Sequence, residues 1–135
     1  MNHQQDVHWF PQVEAYWEGA QEKRLLVPVC EECNATYFPP RVACPHCLAS
    51  ETTLRESAGT GTVYTYSIVR SDMHPVMGEQ APYPVALVDL DDGPTVFSTL
   101  VDCPLESVEV GMAVSVTFRE LTDEQFLFPV FAPVE

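Results

Sequence analysis

Positive charge is the scarcest property of this sequence. Lys23 is its only lysine, and 6 basic residues face 20 acidic ones, giving a net charge of −14 over 135 residues. A field of that sign repels phosphate backbones and argues strongly against nucleic-acid binding. It also removes the polybasic attraction to anionic lipid surfaces. No apolar run approaches the length of a membrane span, and the first residues carry no signal-peptide pattern. The expectation is a cytoplasmic chain with no membrane partner. A glycine-rich phosphate loop is missing too, since Gly59-Thr60-Gly61 reads as a turn entering a strand. No internal repeat or low-complexity segment is visible.

What is present is cysteine in a pattern. Cys30-Glu31-Glu32-Cys33 and Cys44-Pro45-His46-Cys47 are two CxxC pairs separated by ten residues, the sequence form of a zinc ribbon. Each pair suits a tight turn whose backbone N–H groups point at sulfur. Two such turns supply four thiolates in a tetrahedron, which leaves no open position and gives the metal a structural role. Three other uses of these cysteines exist. Two disulfides do not suit a reducing cytosol. A dithiol redox site at Cys44 and Cys47 needs a long helix after it, and Leu48-Ala49-Ser50-Glu51 opens one poorly. An iron site would use the same four sulfurs. His46 inside the second pair reads as a solvated neighbour. Cys103, the odd cysteine, reads as a small hydrophobe at a strand end.

Pro11 to Gln21 predicts a short helix, with Val13, Tyr16, Trp17 and Ala20 on one stripe. A helix this short must dock that stripe, either on the chain's own ribbon or on another subunit. Leu25–Val29 reads as a strand into the first cysteine pair, with Thr36–Phe38 as the returning strand and Pro39-Pro40 as the break. The β-patterned runs 62–69, 85–90, 95–101, 113–118 and 126–131 follow, with one helical turn at 104–108. Pro129 confines the last of them to an edge or a bulge. Mainly β structure is therefore expected: an N-terminal helical segment over 1–24, a zinc ribbon over 25–56 and a five-stranded OB-fold barrel over 57–135. A small sandwich is the competing arrangement. The ribbon's own core is too thin to fold without metal.

Several stretches carry a resemblance. They are Glu14-Ala15-Tyr16-Trp17-Glu18-Gly19-Ala20, Arg24-Leu25-Leu26, the two cysteine pairs with Phe38-Pro39-Pro40-Arg41 between them, Gly61–Tyr66 and Pro82–Val88. In this order the chain resembles the family catalogued as domain of unknown function thirty-five, over roughly residues 9 to 132. The resemblance implies an N-terminal helix, a rubredoxin-like zinc ribbon and an OB-fold. It also implies an accessory subunit of thiolase-type acyltransferase, thiolase or aldolase complexes, in which the thiolase-fold partner holds the catalytic residue. The small subunit would support that partner and help form the acyl-CoA path.

No catalytic residue is assigned in this chain, because Cys103 sits beside Pro104 and acidic residues rather than near a histidine base. Arg41 and Arg70 are candidates for holding CoA phosphates, with salt bridges to the many carboxylates as their alternative use. Met73, His74, Met77 and Tyr83 in the long loop, together with Trp17, are the candidate partner interface. His74 there is either an acid or base at a composite site or a surface residue without a role. Asp89, Asp91 and Asp92 read as a solvated turn, because Gly93-Pro94 ends the run too early for a calcium loop. A free-standing barrel that binds a small ligand or single-stranded nucleic acid through Tyr64, Tyr66, Phe97 and Phe118 is the alternative from another class.

Overall fold

The structure, a computed structural model, describes residues 11–71, 73, 81–121 and 125–134. The expected helix is α1, Pro11–Gln21. Among the described residues seven strands follow: β1 Leu25–Cys30, β2 Thr52–Ser57, β3 Thr60–Val69, β4 Tyr83–Leu90, β5 Thr95–Thr99, β6 Ala113–Glu120 and β7 Leu127–Pro133. A single 3-10 turn, Leu105–Ser107, lies between β5 and β6.

The last five strands form one antiparallel sheet in the order β5-β4-β3-β6-β7. It nearly closes on itself. Leu100, just past β5, makes a parallel bridge to Phe131 of β7, and the Val101 N–H donates to the Phe131 carbonyl at 2.8 Å. This is the OB-type barrel, and closure hides the edges an open sheet would expose. β3 serves two neighbours. Thr60 to Thr62 pair with β6 on one side, and Gly61 to Val69 pair with β4 on the other, with an irregularity between Val63 and Thr65. Gly61 permits the crossing, since a Cβ there would lie 2.3 Å from the Asp89 carbonyl oxygen.

β1 and β2 pair antiparallel over their full six residues, from Leu25 with Ser57 to Cys30 with Thr52. The strand returning to β1 is therefore Thr52–Ser57 and not Thr36–Phe38, of which only Thr36 bridges to Val29. The physical reason lies in Pro39, which has no N–H to continue a ladder past Phe38. The polar run Thr52-Thr53-Leu54-Arg55-Glu56-Ser57 pairs on one edge only and needs no apolar face of its own.

One buried cluster runs through the whole molecule. It joins Val63, Val88, Leu90, Val114 and Phe131 of the barrel with Leu25 and Val27 of β1 and Tyr16 of α1. Burial of that cluster is the main driving force for the fold. A second, very small cluster holds only Cys30, Tyr37 and Cys44, with Ala49 against it. The strand β1 is thus anchored in the barrel's core, while the loops beyond it have almost none.

Helix α1 docks its stripe within the chain. Trp17 packs on Phe126 and Phe128 of the barrel at ring distances of 5.3 and 5.6 Å, and Tyr16 packs on Phe38 of the ribbon at 5.4 Å. At its C-terminal end the Gln21 side chain imitates a strand partner. Its amide N–H donates to the Leu127 carbonyl at 3.0 Å and its oxygen accepts the Leu127 N–H at 2.8 Å.

The acidic turn is a clasp. Asp92 accepts from the Ser57 hydroxyl at 2.7 Å and the Ala58 N–H at 2.9 Å, and Arg55 donates to its backbone carbonyl. The Ala58 N–H, the Ser57 hydroxyl and the Arg55 charge hold the Asp92 carboxyl below the usual range, against a smaller desolvation cost. A depressed carboxylate pKa contributes stability above the unfolded value, about 3.9, that is lost as pH falls through the folded value. Asp92→Ala is expected to cost about 1 kcal/mol at pH 7 and to flatten the acid limb of a Tm-against-pH curve below about pH 4. An acid limb identical to that of the wild type would remove the clasp from the account.

Candidate functional site

The four cysteines converge. The Sγ atoms of Cys30, Cys33, Cys44 and Cys47 all lie within 4.8 Å of one another. Cys30 is 3.5 Å from Cys47, and Cys33 is 3.8 Å from Cys44. Four sulfurs bound to one ion at about 2.3 Å stand about 3.8 Å apart in a tetrahedron. The cluster therefore has the size of a tetrahedral metal site.

Two equivalent turns build it, offset by fourteen residues in chain number. Cys30 N–H donates to Ala35 and Cys44 N–H to Ala49, at 2.9 and 2.8 Å. Asn34 N–H donates back to Cys30 and Leu48 N–H back to Cys44, again at 2.9 and 2.8 Å. Backbone N–H groups also approach the sulfurs: Cys33 to Cys30 at 3.5 Å and His46 to Cys44 at 3.3 Å. Burial opposes ionisation of Cys44, but the backbone N–H groups of Cys47 and His46 outweigh it and lower this thiol to about 7. Against the pull of their backbone N–H bonds, desolvation and the neighbouring sulfurs raise Cys33 and lift Cys47 to about 12, so the cluster retains protons that a bound metal must displace. His46 takes part through its backbone, and its ring is exposed.

A groove of about 740 Å³ is the second feature. Its walls come from all three parts of the chain: Tyr16 and Trp17 of α1, Phe38, Pro39 and Pro40 between the cysteine pairs, and Val85, Thr99 and Val130 of the barrel. The lining is mostly apolar, and the volume is that of small-molecule sites. Met73 and Tyr83 line it as well, Met73 exposed and Tyr83 buried, so Tyr83 and Trp17 belong to the groove wall rather than to free surface. His74 and Met77 lie outside the described residues.

Arg41 and Arg70 flank this groove in the chain, next to its lining residues Pro40, Val69 and Ser71. Both are exposed, and neither has an ion pair or hydrogen bond to a described residue. Arg24, Arg55 and Arg119 are by contrast engaged by Glu56, the Asp92 carbonyl and Asp102. The Cys103 thiol is raised by burial and then by the nearby Glu106 charge, opposite to what a nucleophile requires. Among the described residues no helix is long and apolar enough to cross a membrane.

Two family models match the chain. Residues 17–53 match the family model of the ChsH2 rubredoxin-like zinc ribbon domain, and residues 54–119 that of the ChsH2 C-terminal OB-fold domain. A DUF35 domain-containing scaffold protein of Methanocaldococcus jannaschii is 36% identical over 80% of this chain and 77% of its own length. The chain belongs to the DUF35 family. A "probable enoyl-CoA hydratase alpha subunit" of Thermomonospora curvata is 37% identical over 88% of this DUF35 chain, which spans only 37% of that protein's length. Among solved structures, a chain of the Ltp2–ChsH2(DUF35) aldolase superposes with a TM-score of 0.80 at 33% identity. That alignment covers 94% of this chain and 98% of the other.

Proposed function

We propose that this DUF35 protein is a non-catalytic scaffold subunit of a thiolase-type acyl-transfer or aldolase complex in the cytoplasm. In this reading Cys30, Cys33, Cys44 and Cys47 hold one structural zinc that fixes the ribbon, residues 25–56, against the barrel, residues 57–135. The bond-making residues belong to a thiolase-fold partner. The groove receives the acyl part of an acyl-CoA, and Arg41 and Arg70 hold phosphates of its head.

The observation that carries the reading is the groove itself. It combines a mostly apolar wall drawn from three segments with two exposed arginines next to its lining residues in the chain, Arg41 and Arg70, which have no ion pair among the described residues, in a chain of net charge −14. An apolar tail with a polyanionic head is the ligand class that fits both features. The likeness to a chain of the Ltp2–ChsH2(DUF35) aldolase and the relatives described as scaffold proteins support the partner.

Two measurements test it. Co-expression with a thiolase-fold protein from the same organism should yield a stable hetero-oligomer, and a chain that purifies alone and alters no such enzyme would refute the reading. Secondly, an acyl-CoA should bind the assembled complex, and Arg41→Ala with Arg70→Ala should weaken it by roughly 10- to 100-fold, as expected when charge-assisted contacts are lost. Binding of the corresponding free fatty acid should be unchanged. Equal losses for both ligands would place the arginines elsewhere.

A further inference from the structure

We infer that the second cysteine turn carries a docking anchor, Leu48, that inserts into an apolar pocket rimmed by basic side chains on the catalytic partner. The inference rests on the partner-subunit reading above and adds a surface that the groove does not include.

The two cysteine turns are built alike, and each ends on a residue in the left-handed region: Asn34 at φ 61° and Leu48 at φ 68°. Asparagine is among the few side chains that visit this region readily, and glycine does so at no steric cost. Leucine does neither. Yet leucine stands at the second turn, and its backbone makes the same bond as Asn34, with its N–H donating to the first cysteine of the pair. The fold needs the conformation there but has no need of the side chain.

The Leu48 side chain is not held by packing either. It is 79% exposed, beyond every other large hydrophobic residue described except Met73. Val42, in the same loop, is 53% exposed. Strained backbone and exposed apolar surface are both unfavourable, and together they mark a residue serving something outside its own fold. A single apolar anchor seated in a desolvated pocket is how interface hot spots are arranged.

Charge defines the occupant. Glu31 and Glu32 of the first turn are exposed, and the Glu31 N–H donates to the Glu51 carbonyl at 2.9 Å, which brings a third exposed carboxylate to the same lobe. Four thiolates around one divalent ion would add a formal charge of about −2. A second copy of this chain, at net −14, is repelled from such a surface. A partner patch with an apolar centre and a Lys- or Arg-rich rim is attracted.

The experiment uses the zinc-loaded chain with Leu48→Asn, which copies the first turn, and Leu48→Gly. In the isolated protein both variants should keep full zinc content and show a Tm unchanged or raised by about 2–4 °C, since strain is relieved. In titration against the thiolase-fold subunit recovered with the wild-type chain, both should bind at least tenfold more weakly. Wild-type affinity in the variants would overturn the inference. So would a clear fall in Tm or zinc content, which would assign the leucine to the fold, or a wild-type dimer that Leu48→Asn dissolves. Failure of the wild-type chain to bind any thiolase-fold subunit would refute the functional reading itself, and this surface with it.

Discussion

Removing the metal should melt the ribbon loops and leave the barrel standing. The cause is the split between the two buried clusters. Around the sulfurs only Cys30, Tyr37 and Cys44 are fully packed, with Ala49 beside them. So few side chains cannot offset the ordering entropy of the chain between Cys30 and Thr52. In the proposed reading metal coordination supplies that energy, which in isolated zinc-finger peptides amounts to ~10 kcal/mol or more. The barrel has its own core, and Leu25 and Val27 of β1 are part of it. After chelation, or in Cys44→Ser, amides of residues 31–51 should therefore exchange freely with solvent, while those of Val63, Val88 and Phe131 stay protected. Hydrogen exchange read by mass spectrometry decides this. Protected ribbon amides after complete chelation would show that the metal is dispensable.

The second large effect is expected at Trp17. This side chain touches Tyr16, Phe126 and Phe128 at ring distances of 5.0, 5.3 and 5.6 Å. It ties α1 to the barrel, while Tyr16 ties the same helix to the ribbon through Phe38. Fully buried Trp→Ala changes cost about 3–5 kcal/mol. Trp17 is half-buried, so about 2–3 kcal/mol is expected, together with a Tm lower by roughly 10 °C. Zinc content should not change, because the sulfurs are held by backbone turns that the helix does not form. A Tm equal to that of the wild type would mean the stripe is spare surface awaiting another subunit.

The parts legible in the sequence were those with a repeating physical signal. Two CxxC pairs announce a four-sulfur site because metal ligation fixes both residue type and spacing, and the structure brings all four sulfurs together. Alternating β-branched and aromatic runs announced the five barrel strands, since one face of each is buried. β2 was not legible. Thr52–Ser57 is polar, and its pairing is dictated by β1 rather than by its own pattern. The clasp at Asp92 and the strand-like bonds of Gln21 were hidden for a different reason. Their partners Ser57, Ala58 and Leu127 are 35, 34 and 106 residues away, and only the folded topology brings them close. The two turns also form an internal duplication that their differing side chains, Asn34 against Leu48, conceal. The groove could not be foreseen as a unit, because its walls come from three segments that meet only after α1 docks.

The most direct measurement offers an acyl-CoA thioester to the homogeneous zinc-loaded chain, first alone and then with the thiolase-fold partner proposed for it. Carbon–carbon and thioester bond changes would be followed by mass spectrometry. The account predicts no turnover by the small chain alone and turnover once the partner is present. Sustained conversion of the thioester by this polypeptide without a companion would contradict it outright.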